Sequence, residues 1–345
     1  MKKQIACIGE CMLELSGTTH DHMKLSYGGD TLNTAIYLSR LGQPVDYLTA
    51  LGDDPYSDWM VRAWQSEGVN TNFVVRIPSR LPGFYIIQTD IKGERLFHYW
   101  RDQAPARDLF ISPNAELILR SLPQYKLIYL SGISLSLYNE TGREELSKAL
   151  KAASAAGCQI AFDSNYRSTG WPDLATARSV MENFLRITDI ALPTLDDDMQ
   201  LFGVKDANTC AEYLHHLGVR EVVVKMGKRG CMVSSPGHCV MIATTPRKAI
   251  DTTGAGDSFN AAYLAKRLAS KEPQHAAKFA NDLAISLSTV LKLIVWLKIG
   301  SPPTILFFKP PNIDFKIEGT PGKQKTFSTL KPGAPLVGFN INFAF

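Results

Sequence analysis

The sequence predicts an α/β fold: a three-layer α/β/α domain around a mostly parallel central sheet, with a small antiparallel β lid. Short apolar runs alternate with stretches of helical spacing along residues 1–290. Glycines stand where helices should stop. One region, about 73–101, breaks this rhythm with strand-like runs joined by turns.

Taken in order, residues 5–9 read as a first buried strand. Residues 12–16 and 23–26 look like short, half-exposed strands. A helix over 31–41 ends at Gly42, a strand follows over 45–51, and a helix over 57–67 ends at Gly68. Residues 73–76, 83–89 and 95–100 are strand-like, with turns at 78–82 and 92–93; with 12–16 and 23–26 they predict the lid, suited to close over a cleft. Buried strands then follow at 127–131, 159–163, 190–193 and 222–225, interleaved with helices at 141–156, 175–186, 208–217 and 258–268. Gly157 and Gly218 mark two of the stops. Strands that alternate with helices imply a sheet covered on both faces.

At 345 residues the chain can bury a large core, and 45% hydrophobic with 20% charged residues is ordinary for a globular protein. The cysteines at 7, 11, 158, 210, 231 and 239 form no C-x-x-C pair and complete no zinc pattern. They read as reduced, packed thiols of a cytoplasmic protein. The opening apolar run is brief and interrupted by Glu10 and Glu14, which argues for a strand rather than a signal peptide. The apolar stretch 283–297 contains Lys292 and is short for a membrane span. Residues 291–345 hold seven lysines and two acids, so of the total +4 the rest of the chain carries −1. A balanced body gives no case for nucleic-acid binding.

The densest chemical signal is Asp251-Thr252-Thr253-Gly254-Ala255-Gly256-Asp257-Ser258-Phe259. An apolar run with helical spacing follows, in which Phe259, Ala262, Tyr263 and Lys266 share a face. The glycines close a turn that opens a helix, so backbone N–H groups of Gly254, Ala255 and Gly256 can converge where the helix dipole adds positive charge. Such a site suits the charge on a transferring phosphoryl group, with Asp257 beside it as proton acceptor. No Lys-Ser or Lys-Thr pair follows, which excludes a Walker A loop, and the glycine spacing and position exclude the dinucleotide-binding fingerprint. Earlier, Gly28-Gly29-Asp30-Thr31-Leu32-Asn33 opens another helix, with Asp30 as its N-cap candidate and Asn33 facing the same end.

These two strings resemble the paired signatures of the ribokinase-like, or PfkB, carbohydrate kinases, over roughly residues 3–289. Further strings resemble those of the branch that phosphorylates 2-keto-3-deoxygluconate: Leu81-Pro82-Gly83-Phe84-Tyr85, His98-Tyr99-Trp100-Arg101, Leu130-Ser131-Gly132-Ile133-Ser134-Leu135 and Phe162-Asp163-Ser164-Asn165-Tyr166-Arg167. The resemblance implies ATP and Mg²⁺ as cosubstrate and metal, and a small sugar acid as acceptor. It puts Gly28, Gly29, Asp30 and Asn33 on the sugar side with Tyr85 and Tyr99. Arg101 and Arg167 suit a carboxylate clamp, since arginine grips a carboxylate bidentately. On the nucleotide side it implies Asn165, Lys225, Gly227, Gly230 and Asn281. Asp197 stands where relatives organise Mg²⁺ through water, although Thr194 and Asp197 replace the usual Asn and Glu. Asp251 lies in a segment that holds a monovalent cation, K⁺, in some relatives.

A kinase for a neutral ketose such as fructose is the nearest alternative, disfavoured by the two arginines. A non-catalytic sugar or nucleotide sensor is the other, disfavoured by the intact Asp257 turn. The lid's strand edges suit a homodimer. After residue 290 the family pattern stops, and a Pro-, Lys- and Phe-rich tail runs over 291–345. The expectation is a frameshift or read-through; a lineage-specific extension is the alternative. Intact mass of the protein from its native source decides between them: 38.1 kDa with this C-terminal peptide refutes the frameshift.

Overall fold

The computed structural model describes residues 3–19, 22–89, 95–245 and 252–288; Asp251 and the tail 291–345 lie outside the described residues. In chain order the strands and helices are β1 (Lys3–Ile8), β2 (Met12–Thr19), β3 (His22–Gly28), α1 (Asp30–Arg40), β4 (Val45–Leu51), α2 (Pro55–Ser66), β5 (Val74–Arg76), β6 (Phe84–Thr89) and β7 (Arg95–Trp100). Next come α3 (Ala115–Ser121), β8 (Tyr125–Ser131), α4 (Gly132–Leu137), α5 (Glu140–Ala155), β9 (Gln159–Asp163), α6 (Leu174–Leu185) and β10 (Ile190–Ala191). The remainder are α7 (Leu195–Phe202), α8 (Ala207–His216), β11 (Glu221–Lys225), β12 (Cys231–Ser235), β13 (His238–Ile242), α9 (Ala255–Leu268) and α10 (Pro273–Ser288).

The large sheet runs β13-β12-β11-β10-β9-β8-β1-β4-β5. From β11 to β5 every pairing is parallel; β11–β12 and β12–β13 are antiparallel. The β12–β13 hairpin was not anticipated from the sequence pattern. Alternation along the strands makes two apolar faces. Ile128, Leu130, Ile160, Phe162, Val222 and Val224 join one buried cluster with Leu146 of α5, Met181 of α6, Leu201 of α7 and Leu214 of α8. Tyr129 points the other way and its hydroxyl meets Asn260 of α9. That second face is covered by α1, α9 and α10, which pack on one another. These are the three layers.

The small sheet runs β3-β2-β6-β7, with β2–β3 and β6–β7 antiparallel and β2–β6 parallel. Residues 73–76, expected in this lid, instead form β5 at the edge of the large sheet, parallel to β4. Their backbone continues the β4 edge, and the Ile77 N–H donates to the Leu51 carbonyl at 2.8 Å. Gly42, Gly68, Gly157 and Gly218 all have positive φ, as helix-stopping glycines require. Five of the six cysteines are buried and Cys239 is exposed, all of them free. Among the described residues no helix is long and apolar enough to cross a membrane.

Candidate active site

The carboxyl ends of β1, β8, β9 and β11 open onto one cavity of about 1310 Å³, roofed by β7 of the small sheet. Ligands in open α/β sheets sit at this end of the strands. Gly254, Gly256 and Asp257 line it from α9; Gly28, Gly29, Asp30 and Asn33 line it from the start of α1. Tyr85, Tyr99, Arg101, Asn165, Arg167, Asp197 and Lys225 complete the expected set that the fold brings together.

At the α9 N-terminus, Gly254 is the N-cap with φ +75°, a left-handed conformation that suits glycine. The helix begins at Ala255, earlier than the sequence pattern indicated. The Ala255 N–H donates to the Thr252 carbonyl at 3.1 Å, so it is not among the free donors of the turn as expected, and Ala255 does not line the cavity. Gly256 and Asp257 are the second and third helical residues, whose N–H groups have no acceptor within the helix.

Asp257 is half-buried and its Oδ2 accepts from Asn33 Nδ2 at 2.8 Å. Burial, reinforced by the charge of Asp30, pushes its carboxyl up to about 7, with the Asn33 hydrogen bond opposing. Asp30 is itself raised, chiefly by burial; Asn165 Nδ2 donates to its Oδ2 at 2.8 Å and works against the shift. Asp30 is the first helical residue rather than the expected N-cap, which is Gly29. A Cβ at Gly29 would lie 2.2 Å from the Glu10 carbonyl oxygen, so only glycine lets β1 and α1 approach this closely.

Beneath the turn lies a buried polar network. Lys225 Nζ donates to Asp163 Oδ2 at 2.6 Å and to Asn260 Oδ1 at 3.0 Å. Asn260 Nδ2 donates to the same Asp163 oxygen at 2.7 Å and to the Tyr129 hydroxyl at 3.0 Å. The lysine expected near the nucleotide thus ties β11, β9 and α9 together below it.

Several expected residues stand differently. Asn165 bonds Asp30 at the start of α1 rather than the glycine turn at 227–230. Gly227, Gly230 and Asn281 do not line the cavity. Gly227 and Gly230 hold the positive-φ reversal between β11 and β12, and a Cβ at Gly230 would meet the Ile242 carbonyl at 2.1 Å. Asn281 is buried and donates to the Ile242 carbonyl at 3.1 Å, tying α10 to β13. The Tyr85 hydroxyl is already engaged with buried Glu14 at 2.5 Å. Arg167 pairs with Asp197 at 3.1 Å. Arg101 Nη2 stands 2.5 Å from Glu10 Oε2 as an ion pair that lacks hydrogen-bond alignment.

Glu10, Tyr138, Arg107 and Arg143 also line the cavity and were not singled out from the sequence. Glu10 had served only as a charge interrupting an apolar run. Among the described residues no group of three or more His, Cys, Asp or Glu side chains is placed to hold a metal.

A family profile described as pfkB family carbohydrate kinase matches residues 2–289. The chain belongs to this family. Among curated members of the pfkB family, the 2-dehydro-3-deoxygluconokinase of Dickeya dadantii is 44% identical over 298 residues, covering 84% of this chain and 95% of its own. A fructokinase of Klebsiella pneumoniae is 27% identical over 289 residues, covering 83% and 91%. Two solved pfkB-like structures share the fold. The 2-dehydro-3-deoxygluconokinase of Thermotoga maritima has a TM-score of 0.75 at 23% identity, covering 84% of this chain and 94% of its own. A putative Ribokinase II of E. coli in complex with ATP and Mg²⁺ has a TM-score of 0.73 at 24% identity, with the same coverage.

Proposed function

We propose that this pfkB kinase transfers the γ-phosphoryl group of ATP to the primary hydroxyl of 2-keto-3-deoxygluconate, the 2-dehydro-3-deoxygluconate of its relatives' names. The observation that carries the reading is the 44% identity to a 2-dehydro-3-deoxygluconokinase over almost its whole length, against 27% to a fructokinase.

Asp257 takes the proton from the acceptor hydroxyl. The hydroxyl oxygen bonds to the γ-phosphorus as the bond to the β,γ-bridging oxygen breaks, and ADP leaves. The N–H groups of Gly256 and Asp257, with the positive end of α9, stabilise charge spreading over the phosphoryl oxygens. A carboxyl near neutrality is suited to a general base, because it is ionised in the cell yet basic enough to accept. Asp30 and Asn165 position the sugar hydroxyls, with Gly28, Gly29 and Asn33 shaping that wall. Asn33 also aims the Asp257 carboxylate. Lys225 and Asp163 hold the floor. Asp197 would hold Mg²⁺ through water, and the ion would supply neutralising charge to the phosphates when bound with ATP. The segment at Asp251 is the candidate K⁺ site.

Residues 1–290 form the kinase domain in this reading, supported by the family match that stops at residue 289. The exposed Leu96, Phe97, Tyr99 and Trp100 of the lid support a homodimer through it. Sedimentation tests that point, and a monomer at micromolar concentration overturns it.

The function is tested by coupled ADP release with Mg-ATP and 2-keto-3-deoxygluconate, with fructose and ribose alongside. Turnover restricted to the sugar acid is expected. Equal turnover with fructose, or folded protein with no turnover, contradicts it.

A further inference from the structure

The cavity contains more cationic side chains than the carboxylate clamp anticipated from sequence. Arg101 and Arg167 each face an acid, Glu10 and Asp197. Arg107 lines the same cavity, half-buried, and among the described residues its guanidinium makes no hydrogen bond or ion pair. Its position follows from the backbone. The Ala104 N–H donates to the Arg101 carbonyl and the Arg107 N–H to the Ala104 carbonyl, both at 3.1 Å. Both Arg101 and Arg107 line the cavity from this turn. Glu10 feels both of their charges.

Behind Arg107 stands another cation. Arg143 donates from Nε to the Leu135 carbonyl at 2.8 Å and its guanidinium lies 5.1 Å from the Trp171 ring centroid. Burial, and beyond it the charge of Arg107, lowers the pKa of Arg143, against the pull of Glu140. Two guanidinium groups that disfavour each other in a partly dry cavity are a cost to the fold unless an anion comes between them and solvent.

A further polar group at this end lacks a partner. The Tyr138 hydroxyl is buried without a hydrogen bond, in a residue 1% exposed, while Glu10, 4% exposed, has its ion pair with Arg101. Buried polar atoms are normally paired, so unpaired ones that line a cavity point to a ligand that completes them.

We propose that Arg107, beside the Arg101–Glu10 pair, is a specificity-determining residue that grips the carboxylate of the sugar acid at the end of the cleft. Glu10 is a positioning residue: it holds one side of Arg101 so that the other side faces the substrate. The Tyr138 hydroxyl supplies a donor to the same end. Arg167, paired with Asp197, is left to the phosphoryl side. The assignment rests on the sugar-acid reading above and adds a residue to it.

The test compares wild type, Arg107→Gln and Arg107→Lys, using ADP release and calorimetric binding of 2-keto-3-deoxygluconate without ATP. A charge-assisted hydrogen bond to a carboxylate corresponds to roughly a 10- to 100-fold change in binding. R107Q is expected to raise both Kd and KM by about that factor with kcat within roughly threefold, and R107K to recover most of the loss. The neutral methyl ester of the sugar acid should bind wild type and R107Q equally. R107Q with Kd and KM within twofold of wild type overturns the assignment while leaving the kinase reading intact. Wild type that turns over no 2-keto-3-deoxygluconate removes the kinase reading, and the carboxylate subsite with it.

Discussion

Two ends of one cleft treat their polar groups in opposite ways. Beneath the α9 N-terminus, Lys225, Asp163, Asn260 and Tyr129 answer one another's hydrogen-bonding capacity at 2.6–3.0 Å. At the far end the Tyr138 hydroxyl is equally buried yet has no hydrogen bond, Glu10 has its ion pair with Arg101, and among the described residues the Arg107 guanidinium makes no hydrogen bond or ion pair. A satisfied network is rigid, because any rearrangement forfeits several bonds in a low-dielectric setting. An unsatisfied one is at its lowest free energy only with ligand. The floor that must hold the Asp257 turn still is pre-built, and the end that must discriminate between sugars is left for the sugar to complete.

Removing the carboxylate that stands above the floor should have the largest effect. Asp257→Asn is expected to lower kcat by roughly 10²–10⁴-fold while the Kd of the sugar acid changes little. Single-turnover kinetics and calorimetry separate the two, and a kcat within a few-fold of wild type removes Asp257 from its role.

Next in size is Lys225→Met. It leaves Asp163 as a buried carboxylate without its cation, which costs on the order of 3–5 kcal/mol. Urea unfolding should show that loss. The double variant Lys225→Met with Asp163→Asn should lose less than Lys225→Met alone, and simple additivity of the two changes would show that the pair does not act as a unit.

A smaller effect is expected within the small sheet. Tyr85→Phe removes the 2.5 Å hydrogen bond to Glu14 and leaves a buried carboxylate short of a donor, at about 1–3 kcal/mol. Its signature should be a raised KM with kcat nearly unchanged. A fall in kcat alone would place Tyr85 in the chemistry instead.

A further prediction concerns stability against pH. Asp257 titrates near 7 when folded and near 4 in the unfolded chain. Between those values the folded state holds the extra proton, so this group's contribution falls as pH rises through the window. Melting temperatures of D257N should therefore gain on wild type from pH 5 to pH 8. A gap that stays constant or shrinks would mean that the carboxyl is not raised.

The two helix-opening turns of the cleft were legible in the sequence because their determinants are local. Gly254, Gly256 and Asp257 lie within one turn of each other, as do Gly29, Asp30 and Asn33, and glycine turns before helices have recognisable spacing. The parallel sheet was legible from the alternation of apolar runs and helices. What stayed hidden depends on distant partners. Lys225 meets Asp163 across 62 positions, and nothing around either residue announces the other. Asn281 was expected on the nucleotide side, and nothing local announces the β13 carbonyl that it bonds instead. The edge strand β5 has the same local pattern as a lid strand and differs only in its neighbour. Arg107 sits in an unremarkable turn, and Glu10 looked like a break in a hydrophobic run because burial of a charge cannot be read from composition.

The central claim is that the buried surroundings of Asp257 poise it as the base. The most direct test is the pH dependence of kcat/KM for the sugar acid, which reports the free enzyme. The account predicts activity that rises about tenfold per pH unit on the acid side and levels off near pH 7. A profile that is flat from pH 5 to pH 8 would contradict it.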